Sequence, residues 1–180
     1  MLYYEILPGE YDLVLDMVDD GLCKRFLEER TFEEKTIQVK CVNLKKKQKY
    51  KEDLFASAFC PPIVSEDMKR FIEENDGFNH KNIQLIETEV VNYDTEKKYF
   101  IMNIMDIVDC IDDESSVYED SRVGRYEWSR IYIKTRLDKT KADGHDIFRL
   151  KGDPHALFIS ERFYNEFKKL KSRCLDLYRQ

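Results

Sequence analysis

The sequence has few of the residues that interrupt or cross-link a chain. It contains six glycines, four prolines and five cysteines in 180 residues. Glycine and proline mark most turns and linkers, so their scarcity gives no point at which composition divides the chain. The cysteines are odd in number and form no Cys-x-x-Cys pair, which argues against a disulfide framework or a zinc site. We therefore expect a single domain over residues 1–180, with reduced, buried thiols.

Long apolar runs and an excess of basic residues are also missing. No stretch reaches the roughly 20 apolar residues of a membrane helix. The opening MLYYEILPGEYD lacks the basic end and apolar run of a secretory signal. The net charge of −6 disfavours a protein that binds nucleic acid, because such proteins usually present a positive surface. We expect a cytoplasmic protein that binds neither nucleic acid nor membrane, and we interpret the one basic run, Lys45–Lys51, as a connection between strands.

Two segments share one pattern, in which an apolar stretch leads into Ser-Glu and then into an amphipathic run. Ser65 and Ser160 are placed to cap the first turn of a helix, and the acidic residues that follow complement the helix dipole. Each run is followed by a further strand-like segment, Asn82–Val91 in the first case and Cys174–Tyr178 in the second. We predict two similar β-helix-β units packed on a shared sheet. The fold class is therefore α+β, a single domain with a mixed or mainly antiparallel sheet.

Five carboxylates fall within nine positions in the middle of the chain. We call them the acidic rim: Asp106, Asp109, Asp112, Asp113 and Glu114. Oxygen ligands suit Mg²⁺ and Ca²⁺, so a metal site is one interpretation. The order of residues in an EF-hand calcium loop is absent, however. A solvated acidic edge is the favoured interpretation, and a docking surface for a basic partner is the third.

A second cluster combines His145, Asp146 and Arg149, with Asp153 and His155 close behind. Histidine carries protons near neutral pH, so an acid-base or phosphate site is conceivable. The segment DIFRL nevertheless has the profile of a strand, in which Arg149 is expected to pair with a carboxylate. The sequence contains no nucleophile elbow, phosphate-binding glycine loop or His-Glu-x-x-His zinc pattern. We expect no enzyme, with two alternatives: a small metal-dependent enzyme built on the acidic rim, or a nucleic-acid-binding regulator that uses the lysine run.

Four segments in succession resemble one family across nearly the whole chain. They are MLYYEIL, then PPIVSEDMKRFIEE, then YFIMNIMDIVDCIDDESS, then HDIFRL followed by LFISERF. Their order and spacing are similar to those of bacterial polymorphic-toxin immunity proteins of the MXAN type, a group first catalogued as a domain of unknown function. The resemblance implies an inhibitor that takes part in competition between bacteria. Such a protein is encoded beside a secreted toxin and binds the cognate toxin domain.

The resemblance brings no cofactor and no catalytic residues, and it leaves the toxin and the oligomeric state open. Charge and aromatic content suggest where a toxin domain would touch the chain. The candidate contact residues are Asp106, Asp109, Asp112, Asp113, Glu114, Trp128, His145 and Arg149.

Overall fold

The part of the chain that the computed structural model describes contains thirteen strands and three short α-helices. The described residues are 1–8, 13–28, 31–44, 55–57, 61–75, 77–78, 82–94, 96–123, 127–170 and 175–179. The strands are β1 (Tyr3–Pro8), β2 (Leu13–Met17), β3 (Thr36–Leu44), β4 (Phe55–Ser57), β5 (Ile63–Ser65), β6 (Ile83–Val90), β7 (Tyr99–Ile104), β8 (Ile107–Val108), β9 (Val117–Val123), β10 (Glu127–Lys134), β11 (Ile147–Leu150), β12 (Leu157–Ser160) and β13 (Leu175–Arg179). The helices are α1 (Asp20–Glu28), α2 (Glu66–Glu74) and α3 (Glu161–Phe167), the last continued by a 3₁₀ turn at Lys168–Leu170.

The strands form a five-stranded sheet in the order β13-β1-β12-β11-β8, a six-stranded sheet in the order β2-β3-β6-β7-β5-β4, and a separate hairpin of β9 and β10. The pairs β3–β6 and β8–β11 are parallel, and the remaining strand pairs of the described residues are antiparallel. The predicted α+β class is thus confirmed, with most of the regular structure in sheets. None of the described helices is long and apolar enough to cross a membrane.

The two segments with the shared Ser-Glu pattern each place a helix between two strands, but the predicted shared sheet is wrong. The unit β5-α2-β6 lies in the six-stranded sheet, and the unit β12-α3-β13 lies in the five-stranded sheet. In each unit a third strand pairs between the two flanking strands, β7 in the first and β1 in the second. The sequence shows the local unit but not the third strand that pairs within it, and that strand decides the sheet.

Helices α2 and α3 each follow a serine whose hydroxyl faces the first turn. The Ser65 hydroxyl accepts the N–H of Met68 at 3.4 Å, and the Ser160 hydroxyl accepts the N–H of Phe163 at 3.1 Å. Acidic residues follow in the first turn of each helix. These contacts satisfy backbone donors that a helix start would otherwise leave unpaired.

The largest core lies between the two sheets and contains α2 and α3. Phe71 of α2 meets Phe163 of α3 edge to face, with ring centroids 5.4 Å apart. From the six-stranded sheet come Val64, Phe100, Met102 and Ile104, and from the five-stranded sheet come Ile6, Ile147, Leu157 and Ile159. Each sheet therefore buries one face against the same pair of helices, which is how a sheet and a helix stripe shed their apolar surface.

The faces of the two sheets that point away from α2 and α3 are packed against different residues. Phe26 of α1 stacks on Phe32 with centroids 3.9 Å apart, and the pair closes the outer face of the six-stranded sheet. Across the five-stranded sheet, Leu137 and Ala142 cover Tyr3, whose phenol donates to the Ala142 carbonyl at 2.5 Å. The segment between β10 and β11 thus belongs to the framework of the fold.

Cys41 and Cys110 are not joined in disulfides, and the side chain of Cys23 is outside the described set. Cys110 is fully buried and Cys41 is half-buried. Burial raises the pKa of Cys110 to about 11, because the thiolate would lose its solvation. Cys60, Cys174 and the run Lys45–Lys51 lie outside the described residues.

Candidate functional site

The acidic rim begins along an edge of the five-stranded sheet. Strand β8 is the edge strand, and it pairs in parallel with β11. The carbonyl of Asp106 accepts the N–H of Arg149 at 2.8 Å, and the carbonyl of Val108 accepts the N–H of Lys151 at 3.0 Å. A short edge strand flanked by charged residues resists pairing with other chains, which gives these carboxylates a structural role as well.

Asp106 and His145 form one contact within this region. His145 Nδ1 lies 2.7 Å from Asp106 Oδ2, and the His145 side chain is one-third exposed. Gly144, with φ of +87°, supplies the left-handed backbone that brings His145 to the start of β11. Among the described residues, the one side-chain partner that His145 has for hydrogen bonding is Asp106. The Asp106 side chain is 12% exposed, so the pair lies where the buried part of the sheet edge meets the surface.

Asp112 forms the turn that joins the edge strand to the β9–β10 hairpin. Its carboxylate accepts the N–H of Ser115 at 3.2 Å, and its carbonyl accepts the Ser116 hydroxyl at 2.6 Å. The Ser116 oxygen in turn accepts the N–H of Arg136 at 2.8 Å. These bonds fix the base of the hairpin to the turn. Asp113 and Glu114, which lie within this turn, are exposed.

Asp113 connects the turn to the hairpin itself. The Tyr132 phenol donates to its carboxylate at 2.7 Å, and Arg130 Nη1 lies 3.0 Å away. The hydrogen bond from Tyr132, together with Arg130, lowers the pKa of Asp113. The Arg130 guanidinium also lies over the Tyr118 ring, 3.8 Å from its centroid. The acidic rim and the hairpin are thus one continuous surface.

The rim carboxylates do not converge on one point. Asp106 faces His145, Asp109 is 2.9 Å from Lys151 Nζ, and Asp113 faces the hairpin. Within the described part of the chain, no group of three or more His, Cys, Asp or Glu side chains is arranged to hold a metal ion. Nothing in this geometry supports the metal-dependent alternative.

Arg149 was expected to pair with a carboxylate and to contact a partner, and the structure buries it. Its side chain is 5% exposed. Its Nε donates to the carbonyl of Ile104 at 2.8 Å, and its Nη1 donates to the carbonyl of Phe26 at 3.1 Å. Strand β11 runs between β12 and β8, so all four of its residues are buried. Arg149 therefore links the five-stranded sheet to β7 and α1 through two main-chain acceptors.

The carboxylate next to His145 is also internal. Asp146 is 2% exposed and accepts the Ser160 hydroxyl at 2.7 Å and Arg162 Nε at 3.1 Å, with Arg162 Nη2 on its second oxygen. Arg162 follows the Ser-Glu pair by one position, but nothing in the sequence links it to Asp146. The cluster around His145 is thus split: His145 faces the surface, whereas Asp146 and Arg149 hold the fold together.

The hairpin carries residues that the sequence analysis did not select. Val117, Ile131 and Ile133 are exposed, although β-branched residues of a strand usually point inward. The alternation of the segment EWSRIYIK is the only sequence signal, and it does not say which face is covered. Trp128 lies in β10 opposite Arg122, and its side chain is outside the described set.

Comparison with known proteins gives the family. No curated protein matches the chain. The model of the immunity protein family Imm11 matches residues 12–180, which is nearly the whole sequence. Its description agrees with the resemblance that the four segments indicate, and the chain belongs to the immunity protein family Imm11.

Proposed function

We propose that this protein binds one cognate toxin domain of a polymorphic toxin system and neutralises it by covering it, without catalysis. The observation that carries the proposal is the family match, which runs from the residue before β2 to the last residue of the chain. An immunity protein protects the cell that makes the toxin and its siblings. The proposed place of action is therefore the cytoplasm of those cells, and the proposed working unit is one domain over residues 1–180.

The proposed contact surface is the acidic rim together with His145 and Trp128. Arg149 is left out of it, because it is only 5% exposed. Asp109 and Asp113 have side chains that are 73% and 55% exposed, so their charge acts on an approaching molecule through solvent. This favours a toxin with a basic face, as expected for an enzyme that acts on an anionic substrate. Charge of this kind speeds encounter more than it adds affinity.

Protection requires that almost no toxin remain free, which corresponds to a dissociation constant of roughly 1 nM or below, about −12 kcal/mol. A few scattered surface charges do not supply that free energy, because exposed ion pairs each contribute about 1 kcal/mol or less. Tight complexes depend on a small number of buried apolar, aromatic or arginine anchors. The rim therefore needs an apolar anchor beside it.

The test is to express the toxin domain encoded next to this gene with and without the protein. We expect cells that express the toxin domain to grow only when this protein is made as well. We also expect the two proteins to elute together from gel filtration. Equal killing in both cases, with no complex, would refute the proposal. The purified protein should also show no hydrolysis of nucleotides or esters and no thermal stabilisation by Mg²⁺ or Mn²⁺. A metal-dependent turnover that His145→Ala abolishes would instead support the enzyme alternative.

A further inference from the structure

The β9–β10 hairpin stands apart from the two large sheets. Within the described residues, its strands pair only with each other, from Val117 opposite Lys134 to Val123 opposite Glu127. A two-stranded sheet is marginally stable in water unless one face is packed. The bonds of Ser116 to Asp112 and Arg136 anchor the hairpin at its base. The remaining question is which of its two faces meets the body of the protein.

One face of the hairpin is polar and aromatic, and at Tyr132 it meets the body of the protein. It carries Tyr118, Asp120, Arg130 and Tyr132, which the register places in cross-strand pairs. Tyr132 donates to Asp113, and its Cε2 lies 4.0 Å from the position that a Cβ on Gly152 would occupy. Tyr132 thus packs against the loop after β11. These contacts orient the hairpin, and the opposite face points away from the core.

That opposite face, which we call the outer face, carries Val117, Glu119, Ile131 and Ile133. Glu119 pairs with Ile131 across the strands, and Ile133 lies at a bulge. The three apolar side chains are 50%, 53% and 62% exposed in the order Val117, Ile131, Ile133. Antiparallel sheets with one solvated face normally turn polar residues outward, so this arrangement is inverted. Neighbouring exposed apolar residues of this kind mark a surface that another protein covers.

The charge around the outer face defines what covers it. The outer face itself carries Glu119 and, opposite Val117, Lys134. The turn that leads into β9 adds the exposed Asp113 and Glu114 and the partly exposed Asp112. Asp120 and Arg130 lie on the other face, 3.7 Å apart. A surface that fits here has an apolar centre with lysines or arginines around it.

We infer that the outer face of the hairpin is the apolar anchor that seats the toxin domain, and that the toxin meets it with an apolar patch bordered by basic side chains. This inference rests on the proposed function and deepens it. The rim steers the approach, whereas burial of Val117, Ile131 and Ile133 holds the complex together. Loss of the anchor therefore changes the dissociation rate more than the association rate.

The test measures binding of the full-length protein to the toxin domain encoded next to its gene. The double variant Ile131→Ser with Ile133→Ser removes the anchor. The matched control, Val42→Ser with Val91→Ser, removes apolar groups that are 52% and 47% exposed near the ends of two other strands. We expect the hairpin variant to dissociate roughly thirtyfold faster or more. We expect the control to stay within about threefold of the unmodified protein.

Val117→Asp, on the other strand of the hairpin, gives a second measurement if the double variant folds poorly. Binding of both hairpin variants within about threefold of the unmodified protein would overturn the inference and leave the proposed function intact. Failure of the unmodified protein to bind the toxin or rescue growth would refute the proposed function, and this inference with it. Sedimentation of the protein alone tests a second copy as the occupant. A dimer that the hairpin variants abolish, and that the toxin does not displace, would also overturn the inference.

Discussion

Ser65 and Ser160 occupy equivalent positions in two different sheets. Ser65 pairs with Tyr99 in β7, and Ser160 pairs with Tyr3 in β1. The equivalence continues along each central strand. Five residues after its tyrosine, β7 pairs Ile104 with Ile83, and β1 pairs Pro8 with Leu175. Both units thus have the same three-strand register around a capped helix, and they meet through α2 and α3.

The two serines differ in one contact, which predicts a difference in stability. Ser160 also donates its hydroxyl proton to the buried carboxylate of Asp146 at 2.7 Å. Ser65→Ala should lower the free energy of unfolding by about 1 kcal/mol, the usual cost of losing a helix cap. Ser160→Ala should cost about 2–3 kcal/mol, because it also takes a hydrogen bond from a buried charge. Urea unfolding measures both values.

Ser115→Ala is the control for these two substitutions, because the Ser115 side chain is exposed in a turn. Its free energy of unfolding should change by less than about 0.5 kcal/mol. Equal losses for Ser65→Ala and Ser160→Ala would show that the bond to Asp146 contributes nothing to stability.

Arg149 provides a second stability test, separate from binding. Arg149→Met keeps much of the side-chain length but leaves the carbonyls of Ile104 and Phe26 without its donors. We expect a loss of about 2–4 kcal/mol, since buried acceptors lose their partners. Toxin affinity of the folded fraction should stay unchanged. Lys151→Met, two positions along and 70% exposed, should cost little. A stable Arg149→Met variant with weakened toxin binding would instead return Arg149 to the contact surface.

Local features of the sequence were sufficient to predict the α+β class, the two serines that begin helices and the strand at Ile147–Leu150. Hydrophobic periodicity and capping residues act over a few positions, so a single sequence displays them. The assignment to two sheets depends on β1, which pairs with β12 and β13 from the far end of the chain, and on β7, which pairs with β5 across α2 and β6. Nothing local encodes that choice, and the shared-sheet prediction failed there.

The residues of the candidate site also divide into those that a local pattern predicts and those that distant contacts position. Exposure of Asp109, Asp113 and Glu114 followed from the composition of the rim, because a run of carboxylates cannot be buried without partners. The Asp106 side chain is only 12% exposed, and its partner is His145. The interior positions of Asp146 and Arg149 depended on Ser160, Arg162, Ile104 and Phe26, which no spacing rule connects to them. The outward isoleucines of β10 were missed for a related reason. Alternation tells which residues share a face, but the packing of the hairpin on the body decides which face is outside.

The buried thiol of Cys110 predicts how stability depends on pH. Its pKa is about 11 in the folded protein and about 9 when exposed. Because the folded value is raised, the stabilisation is fully present below pH 9 and is lost as the pH rises from 9 to 11. We expect the titration of Cys110 to lower the free energy of unfolding by about 2 kcal/mol over that interval. Denaturant midpoints at several pH values measure the loss.

Cys110→Ala should be less stable at pH 7, because it leaves a small cavity. Its decline between pH 9 and 11 should nevertheless be shallower than that of the unmodified protein. Cys41→Ala, which removes a half-buried thiol, should retain the full decline. Parallel curves for Cys110→Ala and the unmodified protein would exclude Cys110 as the source.

The acidic rim predicts a kinetic effect that the hairpin anchor does not share. A variant that carries Asp109→Asn, Asp112→Asn, Asp113→Asn and Glu114→Gln keeps the size of each side chain and removes four negative charges. If the rim steers a basic toxin domain, association should slow by about tenfold at low salt, and its dependence on salt should flatten. The dissociation rate should change much less, because exposed pairs contribute little to a formed complex. Stopped-flow mixing at several salt concentrations separates the two rates.

The control for this variant removes the same charge from another part of the surface. Glu87→Gln, Glu89→Gln, Asp94→Asn and Glu96→Gln change four exposed carboxylates on and just after β6. The two variants have equal net charge, so a difference in association rate can come only from where the charges lie. Slower association in the rim variant alone, with its salt dependence flattened, would place the toxin's approach at Asp109–Glu114. Equal slowing in both variants would mean that the overall charge of −6 attracts the toxin and that the rim has no special part in steering.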